Sequence, residues 1–252
     1  MLRKKGFTLI ELLVVIAIIA LLLSIVMPAL KKAKESAVRL SCASSIRQAG
    51  MAMHAYATIY DNFLPIPEEA TIGSWLFDFP EVGSEFIHQE YETIEMMYCP
   101  ANNRKDRSSD ELMDYYESHM QENDTGWAVT DYFWLMTFGV SWREDYKYPQ
   151  ESNYPDRQMF LEKFDSRNSG GQPLITDLVW TQDSENAPVR DFTYITSGAT
   201  LNGELLIYRS NHIRGIEAIG GNTLYADGST KWVDYSKMFL NYEGWGPTLF
   251  YW

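Results

Sequence analysis

From Phe7 to Met27 the chain is an apolar run interrupted only by Thr8, Glu11 and Ser24. Its 21 residues meet the ~20 that a helix needs to cross a bilayer. A helix apolar on every face does not suit the surface of a soluble fold, so the run predicts a membrane-spanning segment. Glu11 is then a carboxylate at membrane depth, costly unless it has a specific partner. Cutting the chain after Gly6 would create one, because the new amino group on Phe7 can face the Glu11 of a neighbouring chain. A secretory signal accounts for Arg3, Lys4 and Lys5 ahead of an apolar core. Such cores usually run ~7–15 residues, however, and no convincing A-x-A site follows this one. A plain anchor explains the length but neither Glu11 nor the Gly6-Phe7 junction.

Basic residues, then Gly6, Phe7-Thr8-Leu9-Ile10-Glu11 and a long apolar helix resemble the processing site of type IV pilins and type II secretion pseudopilins. The resemblance implies a leader, residues 1–6, removed by a prepilin peptidase, with N-methylation on Phe7 and Glu11 acting in assembly. It implies a structural subunit of a secretion pseudopilus or pilus-like filament, not an enzyme. Its partners would be further copies of itself or related subunits, the peptidase and an inner-membrane assembly platform. It also implies a single-pass inner-membrane protein with its head in the periplasm or in an extracellular filament. Charge does not orient the span, since Arg3, Lys4 and Lys5 precede it while Lys31, Lys32, Lys34 and Arg39 follow.

Pro28 predicts a kink or local break, because proline lacks an amide hydrogen and crowds the preceding turn. Beyond it, Cys42, Ile46, Ala49, Met53, Tyr56 and Tyr60 recur at spacings of four and three, one stripe of a helix. The expected fold class is α+β: a long N-terminal α-helix packed on an antiparallel β-sheet head. Residues 7–30 form its transmembrane half, residues 31–60 its amphipathic half, and residues 61–252 the head. Asp61-Asn62 and the prolines at 65 and 67 end the helix. Short helices are predicted over Ser84 to Met97, with Ser84 as N-cap, and over Ser109 to Asn123. Strands are predicted within Trp127 to Trp142 and at Leu174 to Trp180, Phe192 to Thr196 and Leu205 to Arg209. Asp227-Gly228, between Asn222 to Ala226 and Ser229 to Val233, predicts a two-residue hairpin turn with positive φ.

A second, narrower resemblance rests on Cys42, Ser45-Ile46-Arg47-Gln48, Ala52-Met53-His54-Ala55-Tyr56, Asn62 to Pro65, Tyr98-Cys99-Pro100, Asn211-His212 and Asn222 to Trp232. These resemble a pilin-like group (DUF1559-type) whose C-terminal region carries a histidine, nine intervening residues and then Asp-Gly. Here 14 residues separate His212 from Asp227.

The formal net charge is −13, with +4 on residues 1–35 and −17 on the remainder. An acidic head lacks the basic face that phosphate contacts need, so no nucleic-acid partner is expected. In an oxidising compartment Cys42 and Cys99 can pair and close a long loop, worth ~4 kcal/mol in the chain-entropy model. The alternative is two buried thiols packing as small apolar groups. Two cysteines and four scattered histidines argue against a structural zinc site. No cofactor is expected, except that pseudopilin heads commonly bind calcium. Asn222, Asp227 and Asp234 offer oxygen ligands for that ion, without EF-hand spacing.

His212 with Asp227 and Asp177 can be read as an acid/base or metal site. The plainer reading makes Asp227 a turn former, His212 a loop cap and Asp177 a strand-edge residue. Eight Trp and 16 Tyr should be mostly core, and the aromatic tail from Tyr242 to Trp252 is expected to pack back on the sheet or to contact a neighbouring subunit or a secreted partner. The rival class is a membrane-anchored ligand-binding or enzymatic domain that borrows a pilin-like anchor.

Overall fold

A computed structural model describes residues 9–65, 78–91, 95–102, 127–135, 161, 163–164, 171–182, 190–193, 195–201, 204–208, 210–238, 240–243 and 249–251. The chain divides into two compact units, Met1–Leu40 and Ser41–Trp252. Gly6, Phe7 and the predicted helix at Ser109 to Asn123 lie outside the described residues.

Helix α1, Leu9–Ile59, is 51 residues long, ~77 Å at 1.5 Å per residue. Among the described residues it is the helix long and apolar enough to cross a membrane. In the first unit its leucines, isoleucines and valines from Leu9 to Leu30 are exposed. Of the kink or local break expected at Pro28, the break does not occur: α1 runs through it uninterrupted. One missing amide hydrogen costs ~3 kcal/mol. Unravelling the flanking turns would expose several backbone groups, each costing several kcal/mol in lipid, so the helix holds.

In the second unit the predicted stripe is buried: Cys42, Ile46, Ala49 and Met53 at 0 % exposure and Tyr56 at 9 %. Tyr60, also assigned to that stripe, is 50 % exposed because regular helix has already ended at Ile59. The end is a left-handed cap. Asp61 (φ 50°) and Asn62 (φ 67°) turn the chain, and Asn62 N donates to Ala57 O at 2.7 Å. Short polar side chains that bond locally tolerate this conformation better than most.

The head is α+β and antiparallel. Strands β1 (Asp78–Pro80) and β2 (Trp127–Val129) pair with each other, and α2 (Glu81–Tyr91) follows β1 directly. Helix α2 corrects the prediction at Ser84. It begins directly after Pro80, leaving Ser84 fully buried inside it rather than capping it, and it ends at Tyr91, before a separate 3-10 turn at Glu95–Met97. The main sheet joins β3 (Tyr132–Trp134), β4 (Pro173–Asp177), β10 (Gly220–Tyr225) and β11 (Thr230–Asp234) in the order β11-β10-β4-β3. Its β4 is buried throughout.

The predicted strand from Leu174 to Trp180 is in fact two. The chain leaves the main sheet after Asp177 and re-enters another as β5, Trp180–Thr181. Small antiparallel pairs are also present in the head: β6 (Ile195–Leu201) with β7 (Glu204–Tyr208), and β8 (Ile213–Arg214) with β9 (Glu217–Ala218). The described part of the tail joins a sheet. Strand β12 (Leu240–Glu243) pairs with β13 (Leu249–Tyr251), and β13 pairs with β5.

Aromatic residues build the core. Trp134 and Trp180 are fully buried, Phe79 stacks near Trp134 at 4.0 Å between centroids, and Trp134 Nε1 donates to Thr130 Oγ1 at 2.7 Å. Phe192 meets Tyr235 edge-on at 5.1 Å beside Val179 and Ala218. The indole donor is satisfied while its ring fills volume, the usual condition for burying tryptophan.

Candidate functional site

The polar centre of the head is Asp177, the last residue of β4. A carboxylate at the end of a central strand is fully desolvated here, at 0 % exposure, so its oxygens must be saturated with donors. They are. Oδ2 accepts from Asn222 N at 2.6 Å and Asn222 Nδ2 at 2.9 Å, and lies 3.0 Å from His212 Nε2. Oδ1 accepts from Asn211 Nδ2 at 2.9 Å. Strand β10 reaches this carboxylate because Gly221 has no side chain: a Cβ there would lie 2.8 Å from Asp177 Cβ.

The network extends to the Cys99 loop through a second buried acid, Asp131. Asp131 Oδ2 accepts from Cys99 N at 3.2 Å, and its Oδ1 accepts from Asn102 Nδ2 at 2.9 Å. The Asp131 carbonyl accepts from Asn211 Nδ2 at 2.8 Å, so one asparagine links both acids. Cys99 is bridged to Cys42 of α1, with Cα atoms 5.2 Å apart. Cys99 Sγ also lies 3.6 Å from His212 Nε2. His212 holds φ at 45°, sparsely populated for a non-glycine residue, and Trp232 packs edge-on against its imidazole at 5.0 Å. Burial first, then the nearby carboxylates of Asp177 and Asp131, push the Tyr132 phenol well above its ordinary range. It stays protonated.

Several readings of the sequence change here. Asp177 is a fully buried hub, not a strand-edge residue, and His212 is inside the network, not capping a surface loop. Asp227 does not join them. It sits fully exposed in the β10–β11 turn, where Oδ1 accepts from Ser229 N at 2.9 Å. The Ser229 hydroxyl first, then the Ser229 backbone amide, both ahead of Lys231, hold its carboxyl below the usual carboxylate range.

The turn itself also differs from the two-residue form. Gly228 N donates to Tyr225 O, Tyr225 N donates to Ser229 O, and only Gly228 has positive φ, at 81°. This is a three-residue loop whose last position is left-handed, so glycine is needed once rather than Asp-Gly twice. Leu224 and Ala226 are buried with Tyr225 half-exposed between them, the expected alternation.

Asn222, Asp227 and Asp234 do not make a calcium site. Asn222 points at Asp177, Asp227 is at the hairpin tip, and Asp234 is paired with Gly220 at the far end, bonding Trp232 Nε1 at 2.9 Å. The ladder from Leu224 back to Gly220 spans ~13 Å, whereas ligands of one calcium ion lie ~2.3–2.6 Å from it. Asp131 is a functional position that sequence reasoning missed. Its only signal is an Asp between Thr130 and Tyr132, in the bend between β2 and β3, and nothing local says that it will bond a loop 32 residues away.

Fold and site together are a long N-terminal apolar helix continuing into an antiparallel α+β head, cross-linked by a disulfide next to a buried polar hub. Residues 1–27 match the family model of the prokaryotic N-terminal methylation motif. This N-terminus is consistent with a type IV pilin-like protein or pseudopilin, and with a single-pass membrane anchor. No curated protein and no solved structure matches the chain.

Proposed function

We propose that the protein is a structural subunit, cut after Gly6 by a prepilin peptidase, methylated on Phe7 and assembled helix to helix into a type II secretion pseudopilus or type IV pilus-like filament. The methylation-motif match at residues 1–27, continuous with an apolar helix exposed on all sides, carries this reading. Such a helix is stable in lipid before assembly and among neighbouring helices after it. The Glu11 carboxylate offers the anionic partner for the amino terminus of an adjacent subunit, a pairing favoured in a low-dielectric setting. In the head, Asp177 and His212 are buried and engaged with each other and with asparagines, which supports a structural role over a catalytic one. The partners are like subunits, the peptidase and the inner-membrane platform, with the head in the periplasm or in the filament.

Mass spectrometry of the protein from its own host tests the processing step. A chain beginning at Phe7 with one added methyl group is expected, and an intact Met1 start or cleavage after Ala29 would refute it. Glu11→Ala should insert into membrane normally, since a charge leaves the hydrocarbon, yet assemble poorly. Parental assembly by this variant would remove the role given to Glu11.

A further inference from the structure

The disulfide and the polar hub are one cluster. One ligand-type atom from each of Cys42, Cys99, Asp177 and His212 lies within 4.8 Å of the others, and all four residues are buried. They come from α1, the loop after the 3-10 turn, the end of β4 and the segment before β8, so convergence is a property of the fold. A disulfide needs no polar company, and a buried His–Asp pair beside it carries a desolvation cost. Two sulfurs, an imidazole nitrogen and a carboxylate oxygen are a complete tetrahedral donor set for zinc.

We propose that the reduced chain binds one Zn²⁺ through Cys42 Sγ, Cys99 Sγ, Asp177 Oδ2 and His212 Nε2, and that this site and the disulfide are mutually exclusive states of the same four residues. A tetrahedral zinc site spaces its donors ~3.3–3.8 Å apart. Cys99 Sγ and His212 Nε2 are already 3.6 Å apart, and His212 Nε2 and Asp177 Oδ2 are 3.0 Å apart. The ion takes the place of the Nε2–Oδ2 hydrogen bond. Asn211 Nδ2 on Oδ1, with Asn222 N and Nδ2 on Oδ2, keeps the carboxylate oriented, as outer partners of metal ligands do. Soft sulfur donors with one imidazole select zinc over calcium or magnesium.

Metal binding to the two thiols releases two protons to water. Conversion to the disulfide releases Zn²⁺ and passes two electrons to a disulfide-containing oxidant, whose own bond becomes a dithiol and takes up two protons. Because the donors are buried, the ion enters as the head folds, before oxidation. Zinc would thus tie α1 to the Cys99 loop in a chain whose disulfide has not yet formed. This reverses the expectation that two cysteines and scattered histidines leave no zinc site, since Asp177 supplies the missing ligand.

The test uses the full chain in detergent, unfolded and reduced with a phosphine, then refolded without oxygen with one equivalent of Co²⁺. One Co²⁺ per chain is expected, with thiolate-to-cobalt charge transfer and tetrahedral visible bands that Zn²⁺ abolishes. Disulfide-intact protein should show none of this. His212→Gln should weaken binding at least about tenfold. X-ray absorption on the zinc-loaded parent should count two sulfur and two nitrogen or oxygen neighbours, a readout independent of whether any variant folds. No charge transfer in the reduced chain, a ligand set other than two sulfurs, or His212→Gln binding as tightly as the parent would overturn the proposal. So would a reduced chain that loses its fold and does not regain it with Zn²⁺.

Discussion

Replacing Asp177 with asparagine keeps its shape and removes its charge, so it isolates what the carboxylate contributes. The two oxygens meet four hydrogen-bonding contacts: three on Oδ2 and one on Oδ1. An amide must put its NH₂ on one side. At the Oδ2 position it opposes the Asn222 backbone and side-chain donors. At the Oδ1 position it opposes Asn211 Nδ2, which cannot rotate away without giving up its bond to the Asp131 carbonyl. At least one buried donor is therefore left unmet, costing ~1–3 kcal/mol. The remaining bonds lose charge assistance, which roughly doubles hydrogen-bond strength, so the total loss is ~3–4 kcal/mol. For a unit of this size each kcal/mol moves the melting midpoint by about 2–4 °C, giving a drop of ~6–16 °C. Tryptophan fluorescence of the detergent-solubilised chain, with its disulfide intact and chelator present, reads the transition. A double-mutant cycle with Asn222→Ala should return a coupling of ~1 kcal/mol or more. A drop below ~3 °C, or additive losses, would refute the claim that Asp177 is the hub.

Cys42→Ala with Cys99→Ala opens a loop whose ends are 57 residues apart; the chain-entropy model puts the loss at ~4 kcal/mol, so melting under chelator should fall by ~8–16 °C. Gly228→Val should destabilise the head by ~1 kcal/mol or more. At φ 81° the cost is purely conformational, since a Cβ there meets nothing within 4 Å; Gly228→Asn should recover part of it, and an equal loss for both would count against a left-handed turn. Partial burial lowers the pKa of His54 from its ordinary 6.5, outweighing a hydrogen bond to the Ala226 backbone that raises it. The unfolded chain therefore takes up the proton first, and a small part of the stability present above pH 6.5 is lost as pH falls below it. NMR titration of His54 should give a value below 6.5, and a value above it would reverse the sign.

The features legible in the sequence are those set by local period and local chemistry. An unbroken apolar run needs no context to predict a membrane helix, because the requirement to satisfy backbone groups in lipid admits little else. The four-and-three spacing of Cys42, Ile46, Ala49 and Met53 selected the buried face of α1 for the same reason: a helix repeats regardless of what it packs on. Gly228 was readable because positive φ is a property of one residue. Where two local rules competed, the reading failed. Ser84 looked like a cap but Pro80 comes first, and the apolar stretch from Leu174 to Trp180 did not reveal that it changes sheets after Asp177.

What the sequence determined by itself is the apolar N-terminal helix and the methylation motif that residues 1–27 match. What only the tertiary structure decided is the cluster of Cys42, Cys99, Asp131, Asp177, His212 and Asn222. No spacing along the chain relates these residues, because each is delivered by a different element and their meeting depends on strand order. Antiparallel pairing of β10 with β4 brings Asn222 to Asp177, and the absent side chain of Gly221 lets the two backbones close. Once those strands exclude water, a carboxylate that would be an ordinary surface acid becomes the group that every neighbouring donor must satisfy.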